Sequence, residues 1–293
     1  EDGIRDRDVT GVQTCALPIY QAVAAARLGA DVWLIGRVGT DGFGEALLQG
    51  LQSAGVQTQY VQRTPGASGV AVIQVADTGQ NSIVVIPGAN GCLTVEDVQD
   101  ASSVIRSADV LLVQFEVPLE TVEAAVRIAV ESGVRVIVDP APACRGVSPV
   151  ILRADWLLPN ETEAEALSGI AVVDRAGAER AGQQLLQAGA KRVVVTLGGS
   201  GVLLVDSDGQ LLSAQPFRVP AVDTTAAGDA FAGGLACALA GGASDAEAVR
   251  YACAVGALAV TKHGAQAAMP AADEVRRLLE QQPGAGCLQG MQG

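Results

Sequence analysis

From residue 21 onward the chain alternates short runs of β-branched residues with longer stretches in which apolar residues recur with helical period. The strand-like runs lie at residues 32–35, 110–114, 134–139, 156–158 and 193–196. The helical stretches lie at residues 44–54, 119–132, 161–168, 176–188, 228–240 and 246–261. Apolar strands separated by amphipathic helices are typical of a parallel sheet that is covered on both faces. The pattern therefore predicts an α/β fold with three layers, in which a mostly parallel central sheet lies between two layers of helices.

One segment departs from this alternation. Two strand-like runs at residues 69–75 and 81–86 are separated by Asp-Thr-Gly-Gln at positions 77–80, which is a hairpin signal. A hairpin inserted between strand–helix units is usually an edge addition or a lid. We therefore predict a small β lid at about residues 69–86, within a single domain that spans residues 20–282.

The two ends of the chain lack these patterns. Residues 1–8 form a dense charge run without apolar period, and helical pattern begins abruptly at residue 20. We interpret residues 1–19 as a non-native leader, such as translated adapter sequence; a natural flexible terminus is the alternative. Residues 283–293 are rich in Gly and Gln without periodicity, so we predict a disordered tail.

Charge and hydropathy exclude several classes of function. The chain has 32 acidic and 19 basic residues among 293, and it therefore lacks the clustered positive charge that binds nucleic acid. No apolar run approaches the roughly 20 residues that a membrane helix needs. Its two lysines, Lys191 and Lys262, lie outside any GxxxxGK[ST] pattern. Any phosphate binding must then come from backbone amides and helix ends.

Cysteine and histidine usage narrows the chemistry further. The six cysteines are scattered without a CxxC pair, which favours free thiols in a reducing cytoplasm. His263 is the only histidine, so chemistry that needs two histidines is excluded. A zinc site is not expected from this distribution.

The segment at residues 222–234 carries the strongest chemical signal. A turn containing Gly228 runs directly into a helix rich in Ala and Leu. The first N–H groups of a helix have no intrahelical partners, and together with the helix dipole they form an anion site. Asp229 beside that site is placed to take a proton from an attacking hydroxyl group. The alternative is that Asp229 only caps the helix.

The sequence DTTAAGDAFAGG at residues 223–234 resembles the signature of the ribokinase (PfkB) family of carbohydrate kinases. Further segments resemble family motifs in the same order along the chain, over residues 21–281. They are the glycine-rich stretch 36–44, the GAN segment 88–90, Glu116, the NxxE motif 160–163, the glycine-rich strand end 196–201 and the segment 260–266. The resemblance implies a ribokinase-like α/β/α sandwich.

The resemblance implies ATP-dependent phosphorylation of D-ribose to ribose 5-phosphate. Asp229 would be the general base, the amides of Ala226, Ala227 and Gly228 would form an anion hole, and Glu163 would hold Mg²⁺ through water. Two alternatives remain: a kinase of another sugar or a nucleoside in the same family, or an inactive fragment that binds nucleotide.

The resemblance also implies the binding residues. Glu116 and Asp229 would bind the sugar. ATP would contact Asn160, Thr196, Leu197, Gly198, Gly199, Ser200, Gly201, Gly228, Asp229 and Cys253. K⁺ would lie near Asp223, Thr225, Ala259, Lys262, Gly264 and Ala268. Three of these features have simpler alternatives: Asn160 and Glu163 as a helix cap and first-turn acid, residues 198–201 as a hairpin connection, and Asp223 as a turn residue.

The chain departs from the family pattern in its N-terminal region. Family members carry a first strand with a sugar-binding Asp, and then a GGKGAN motif immediately before the first helix. Here residues 15–20 read Cys-Ala-Leu-Pro-Ile-Tyr at the position of that motif. We therefore expect a sugar site without several of its polar groups, which puts the activity of this chain in question. Pairing of lids in the family implies a homodimer.

Overall fold

The computed structural model describes residues 11–14, 17–75 and 81–290. The first ten residues of the predicted leader, the predicted hairpin turn and the last three residues of the predicted tail lie outside the described residues.

Twelve strands and eleven α-helices are found in the described part of the chain. The strands are β1 (Gly11–Thr14), β2 (Trp33–Gly39), β3 (Gln57–Thr64), β4 (Val70–Val75), β5 (Asn81–Ile86), β6 (Val110–Val113), β7 (Arg135–Val138), β8 (Trp156–Leu157), β9 (Arg192–Thr196), β10 (Val202–Asp206), β11 (Leu211–Ala214) and β12 (Leu288–Gly290). The helices are α1 (Leu17–Arg27), α2 (Gly42–Ser53), α3 (Val95–Asp100), α4 (Ser102–Ser107), α5 (Leu119–Glu131), α6 (Pro149–Leu152), α7 (Glu161–Ser168), α8 (Arg175–Gln187), α9 (Ala227–Ala240), α10 (Asp245–Ala259) and α11 (Ala272–Gln281).

The central sheet has seven strands in the order β12-β11-β10-β9-β8-β7-β6. Pairing is parallel from β6 to β9 and antiparallel from β9 to β12. Alternate side chains enter different layers: Val136 and Val138 pack against α5, whereas Ile137 packs on the other face with α9 and α10. Helices therefore cover both faces, and the α/β fold class predicted from the hydrophobic pattern is confirmed.

The segment predicted as a lid contains two paired strands. β4 and β5 are antiparallel, and β1 pairs with the other side of β4. The three strands form a sheet separate from the central one.

The predicted domain start at residue 20 is wrong at this boundary, because α1 begins at Leu17 and Ile19 is buried in the core. Proline is favoured in the first turn of a helix, which explains why Pro18 does not delay the start.

The predicted disorder after residue 282 is wrong for residues 283–290. β12 pairs with β11, and Gly286 N–H donates to the carbonyl oxygen of Gln215 at 2.9 Å. Arg250 of α10 donates to the carbonyl oxygen of Ala285 at 3.0 Å. These contacts use backbone groups at the edge of the sheet, so they leave no periodic pattern in the side chains.

The base of the lid is tied to β2 and α2 by Asp41. Its carboxylate accepts hydrogen bonds from Gly44 N–H, from Ser68 N–H and from the Ser68 hydroxyl, at 2.9, 2.9 and 2.7 Å. The Ser68 hydrogen bonds, with that of Gly44, hold the pKa of Asp41 below its ordinary value. An added Cβ at Gly39 would lie 2.4 Å from the nitrogen of Ser68, so this close approach requires glycine.

Helices α1 and α9 pack so closely that their backbones are in contact. A Cβ built on Gly233 of α9 would lie 2.7 Å from the carbonyl oxygen of Gln21 and 2.8 Å from Cβ of Ala24. Glycine therefore sets the distance between the two helices at this crossing. The contact brings the side chain of Gln21 to the beginning of α9.

Three further features bear on function. In the described residues, no helix has the length and apolar character to cross a membrane. Five cysteines in the described residues are free thiols: Cys92, Cys144, Cys237, Cys253 and Cys287. No group of three or more His, Cys, Asp or Glu side chains in these ranges is arranged to hold a metal ion.

Candidate functional site

The beginning of α9 has an unusual backbone. Ala226, immediately before the helix, has φ 59° and ψ 19°, and it is the one non-glycine residue with positive φ in the described ranges. Such a conformation costs about 1–3 kcal/mol and is concentrated at functional sites. The helix then begins with Ala227, Gly228 and Asp229, and no side chain caps it. Ala227 N–H donates to the carbonyl oxygen of Thr224 at 3.3 Å, which is a long hydrogen bond.

Asp229 does not act as a helix cap. Its side chain is 4% exposed, and its Oδ1 accepts a hydrogen bond from Nε2 of Gln21 at 3.0 Å. Burial raises the pKa of Asp229 to about 8; the charges of Glu116 and Glu163 act in the same direction, and the Gln21 hydrogen bond opposes them. The alternative that this carboxylate only caps α9 is therefore wrong. A buried carboxyl whose pKa lies near neutrality is suited to general base chemistry.

Asp229 belongs to a buried hydrogen-bonded cluster with three side chains that the sequence did not single out, Gln21, Gln114 and Asp139. Nε2 of Gln21 also donates to Oδ2 of Asp139 at 2.7 Å, and Oε1 of Gln21 accepts from Nε2 of Gln114. Burial, followed by the negative charge of Asp229, raises the pKa of Asp139 well above its ordinary value. Gln114 and Asp139 come directly after β6 and β7. In α/β proteins, ligands bind at the carboxyl ends of parallel strands. The position of Gln114 and Asp139 directly after two predicted strands is therefore the sequence signal that could have identified them.

Asn160 and Glu163 form a capping box at the start of α7. Oδ1 of Asn160 accepts from Glu163 N–H, and Oε2 of Glu163 accepts from Asn160 N–H, both at 2.9 Å. Glu163 is buried, and burial raises its pKa. The simpler alternative, a cap with a first-turn acid, is thus what the structure contains. The same residues also lie beside the glycine-rich strand end, because Asn160 and Thr196 form a parallel bridge.

The glycine-rich strand end connects β9 to the antiparallel β10, as its simpler alternative predicts. Gly198–Ser200 form one 3₁₀ turn, and Leu197 N–H donates to the carbonyl oxygen of Gly201 at 2.9 Å. Gly201 has φ 88°, and an added Cβ would lie 2.1 Å from the carbonyl oxygen of Ala214. By contrast, Cβ atoms at Gly198 and Gly199 would meet nothing within 4 Å. The backbone of this turn is therefore open on one side.

Cys253 lies in α10 and is packed between two hydrophobic clusters. Burial raises the pKa of its thiol to about 12, so the side chain is neutral at physiological pH. It can contact a ligand only as a small apolar group.

Asp223 holds two loops together. Its Oδ1 accepts from Thr225 N–H at 2.9 Å, which is the contact of a turn residue, and its Oδ2 accepts from Gly264 N–H at 3.0 Å. A hydrogen bond with the side chain of Thr225 is the main reason that the pKa of Asp223 is below its ordinary value. Of the other predicted K⁺ residues, Ala259 is the last residue of α10, and Lys262 and Ala268 lie in the loop that follows it. Nζ of Lys262 donates to Glu274 at 2.8 Å, and Ala268 is fully buried without a side-chain oxygen.

A mostly apolar cleft lies between α1, β2 and the base of the lid. Pro18 and Ile19, at the position of the family's polar motif, line it together with Gly36, Ser68 and Asn90. Pro18 and Ile19 contribute apolar surface to the cleft, whereas Arg37, Ser68 and Asn90 contribute polar groups. Glu116 follows β6 and lies near enough to Asp229 for its charge to raise the pKa of that carboxyl.

The family profile described as "pfkB family carbohydrate kinase" matches residues 18–272, which is most of the chain. The chain belongs to the pfkB family of carbohydrate kinases. A ribokinase of Haemophilus influenzae is 41% identical over 89% of this pfkB chain and 85% of its own length. A deoxyribokinase of Salmonella typhi is 36% identical over 88% of this chain and 85% of its own length.

Solved structures of pfkB relatives agree with the sheet and helix arrangement. Ribokinase of Arabidopsis thaliana, in complex with ribose and ATP, has a TM-score of 0.83 at 30% identity and covers 90% of this chain and 86% of its own. Ribokinase of Thermotoga maritima has a TM-score of 0.80 at 37% identity with the same two coverages, 90% and 86%. The family and the ribokinase-like fold expected from the signature motif are both confirmed.

Proposed function

We propose that this chain transfers the γ-phosphoryl group of ATP to D-ribose and forms ribose 5-phosphate and ADP. The observation that carries the proposal is the buried Asp229, whose pKa is raised to about 8, in the first turn of α9. The names of the relatives support the substrates: a ribokinase is 41% identical, and a ribokinase of similar fold is in complex with ribose and ATP.

In this proposal Asp229 acts as the general base. Its carboxylate takes the proton of a ribose hydroxyl group while the hydroxyl oxygen forms a bond to the γ-phosphorus. The bond between that phosphorus and its bridging oxygen breaks, and ADP leaves with the electron pair. The amides of Ala226, Ala227 and Gly228 stabilise the negative charge on the transferring group as an anion hole. The first-turn N–H groups and the helix dipole supply this stabilisation without reorganisation.

The nucleotide is proposed to lie along the two adjacent segments at the ends of β8 and β9. The bridge between Asn160 and Thr196 supports this placement, since it brings the NxxE motif beside the glycine-rich turn. The open backbone at Gly198 and Gly199 lets a ligand approach closely. The contact residues are Asn160, Thr196, Leu197, Gly198, Gly199, Ser200, Gly201, Gly228, Asp229 and Cys253.

Mg²⁺ is proposed to arrive with ATP as part of the substrate. In the described residues no cluster of three acidic or other ligating side chains could hold the ion by itself. Mg²⁺ in proteins commonly keeps several waters and is shared between substrate phosphates and one or two carboxylates. Glu163 fits the role of an outer carboxylate that binds the waters of the ion. When bound, Mg²⁺ neutralises charge on the phosphates.

K⁺ is proposed to bind between the loops that Asp223 connects. The carboxylate holds Thr225 and Gly264 at 2.9 and 3.0 Å, so the backbone oxygens of the two loops are brought into one region. Further oxygens would come from Ala259 and Lys262. Ala268 has no side-chain oxygen, so this position can contribute only its backbone. Such a donor set of carbonyl oxygens suits a hard cation.

The sugar is proposed to bind between Glu116, Asp229 and the apolar cleft. A second substrate, 2-deoxyribose, is favoured by one observation: Pro18 and Ile19 present apolar surface to the cleft, and an unpaired hydroxyl against such a surface is costly. A deoxyribokinase among the relatives agrees with this alternative.

The direct test is ADP release from MgATP in the presence of K⁺, with and without D-ribose, 2-deoxyribose and D-fructose. We expect sugar-dependent turnover that is fastest with D-ribose. Faster turnover with 2-deoxyribose would assign the second substrate. Absence of turnover with every sugar, while ATP still raises Tm, would contradict the proposal and indicate a nucleotide-binding protein.

We expect kcat/KM for the sugar to increase with pH and to level off above about pH 8. Asp229 must be ionised to accept a proton, and its raised pKa keeps it protonated below about 8. Two pH units below that value, about 1% of the carboxyl is ionised, so kcat/KM at pH 6 should be about 100-fold lower. The measurement uses both substrates below saturation, with circular dichroism to verify folding at each pH. A flat profile between pH 6 and 9 would contradict the assignment of the base.

We also propose a homodimer that forms through the β4–β5 hairpin, and a cytoplasmic location. Val85 and Ile86 support the dimer, because they expose 40% and 51% of their surface at the end of β5. The free thiols support a reducing compartment.

A further inference from the structure

Gln21 lies at the centre of the buried polar cluster beside the proposed base. Its side chain is 1% exposed, and each of its polar atoms has a partner. Nε2 donates to Asp139 at 2.7 Å and to Asp229 at 3.0 Å, while Oε1 accepts from Gln114. A side-chain amide has two N–H donors, so both are used here by two different carboxyl groups.

The partners of this amide agree with its orientation when Asp229 is ionised. Oε1 of Gln21 accepts from Nε2 of Gln114, and an ionised carboxylate can only accept, so Asp229 in its basic form requires the nitrogen of Gln21. If the amide were turned over, its oxygen would face the ionised carboxylate of Asp229, which cannot donate a hydrogen bond. Gln114 and Asp139 follow adjacent strands of the central sheet, so they hold the amide against the end of that sheet.

We propose that Gln21 is a positioning residue for phosphoryl transfer, which fixes the carboxyl group of Asp229 by connecting it to Asp139 and Gln114. The inference rests on the proposed role of Asp229 as base. With Oδ1 bound to Gln21, the carboxyl group cannot rotate without breaking a buried hydrogen bond, and Oδ2 is left to take the proton. A hydrogen bond to a charged group contributes more than a neutral one, and the buried surroundings strengthen it.

Electrostatics gives the amide a second effect. Asp229 is close to the carboxyl groups of Glu116 and Glu163, whose charges disfavour its charged form. The hydrogen bond from Gln21 acts in the opposite direction and lowers the pKa of Asp229. Burial, followed by the charge of Asp229, raises the pKa of Asp139 and so favours its neutral form, whose carbonyl oxygen can still accept from Gln21. Loss of the amide should therefore raise the pKa of Asp229 and also free its carboxyl group to rotate.

Two variants test the proposal through activity. Gln21→Met preserves the shape of the side chain but removes both donors, and we expect kcat to fall about tenfold, as for loss of a hydrogen bond to a charged group. Gln21→Glu replaces the donors by another carboxylate, and we expect a fall of about 100-fold. In both variants KM for ATP should change less than threefold, and the acidic limb of the pH profile should move to higher pH. Gln184→Glu, on the exposed face of α8, is the matched control for the added charge.

Asp139 provides a conservative pair. Asp139→Asn retains an oxygen that can accept from Gln21, whereas Asp139→Leu removes it. We expect the fall in kcat to be smaller for asparagine than for leucine. Equal losses in the two variants would show that the acceptor is irrelevant and would overturn the proposal.

A titration without substrate separates this proposal from the proposed function. The carboxyl carbon of Asp229 in protein labelled with ¹³C-aspartate can be followed by NMR and assigned by its absence in Asp229→Asn. In folded Gln21→Met we expect the pKa of Asp229 to be higher than in the wild type. An unchanged pKa would overturn the proposal, even if kcat fell. If the wild type turned over no sugar, the proposed function would fail and this titration alone would decide the role of Gln21.

Discussion

Asp229→Asn is expected to lower kcat at least about 100-fold while ATP still binds. Asparagine has nearly the shape of aspartate and can still accept the hydrogen bond from Gln21, but it cannot take a proton from the sugar. The first-turn amides of α9 belong to the backbone, so the substitution leaves them in place. The measurement is steady-state kcat, together with calorimetric titration of a non-hydrolysable ATP analogue.

Folding and charge are controlled separately for this variant. Asp208→Asn, in the exposed turn after β10, removes the same charge far from the site and should leave kcat unchanged. Because the folded protein disfavours the ionised form of Asp229, wild-type stability decreases as pH rises from the ordinary pKa of aspartate towards about 8. Asp229→Asn should therefore have a Tm at pH 8 no lower than the wild type. An active variant would refute the role of Asp229 as base.

The start of α9 could be predicted because its chemistry is local. Gly228 and Asp229 follow one another in a sequence that also begins a helix, so the anion site and the candidate base are recognisable before folding. The structure adds what the sequence does not encode locally: the left-handed conformation of Ala226 and the burial that raises the pKa of Asp229. The burial of Asp229 depends on contacts with distant parts of the chain, such as Gln21.

Gln21 could not be predicted as part of the site from its local pattern. It occupies one position in a helix rich in Ala, and its contacts with Asp139 and Asp229 span 118 and 208 residues. Asp139 was included only as the last residue of a predicted strand. The capping box of Asn160 and Glu163 is the opposite case. There the local sequence pattern predicted the contacts correctly but did not show what function the two residues have. Tertiary hydrogen bonds, unlike caps, have no fixed spacing in sequence.

Gly233→Val is expected to lower the free energy of unfolding by about 3 kcal/mol and to reduce kcat as well. An added Cβ would lie 2.7 Å from the backbone oxygen of Gln21, and a backbone oxygen cannot move aside as a flexible side chain can. Helix α1 must then move away from α9. The same movement would lengthen the 3.0 Å hydrogen bond between Gln21 and Asp229, so stability and catalysis should fall together.

Urea unfolding and kcat, measured on the same preparation, test this coupling between packing and chemistry. Gly42→Val is the matched control, because Gly42 is an exposed residue of α2 and a Cβ there would meet nothing within 4 Å. It should change stability by less than about 0.5 kcal/mol, as surface substitutions usually do. If Gly233→Val lost stability but kept full kcat at a temperature where it is folded, the distance between α1 and α9 would not control Asp229. If both fell, the small residue at this crossing would be part of how the fold holds its base in place.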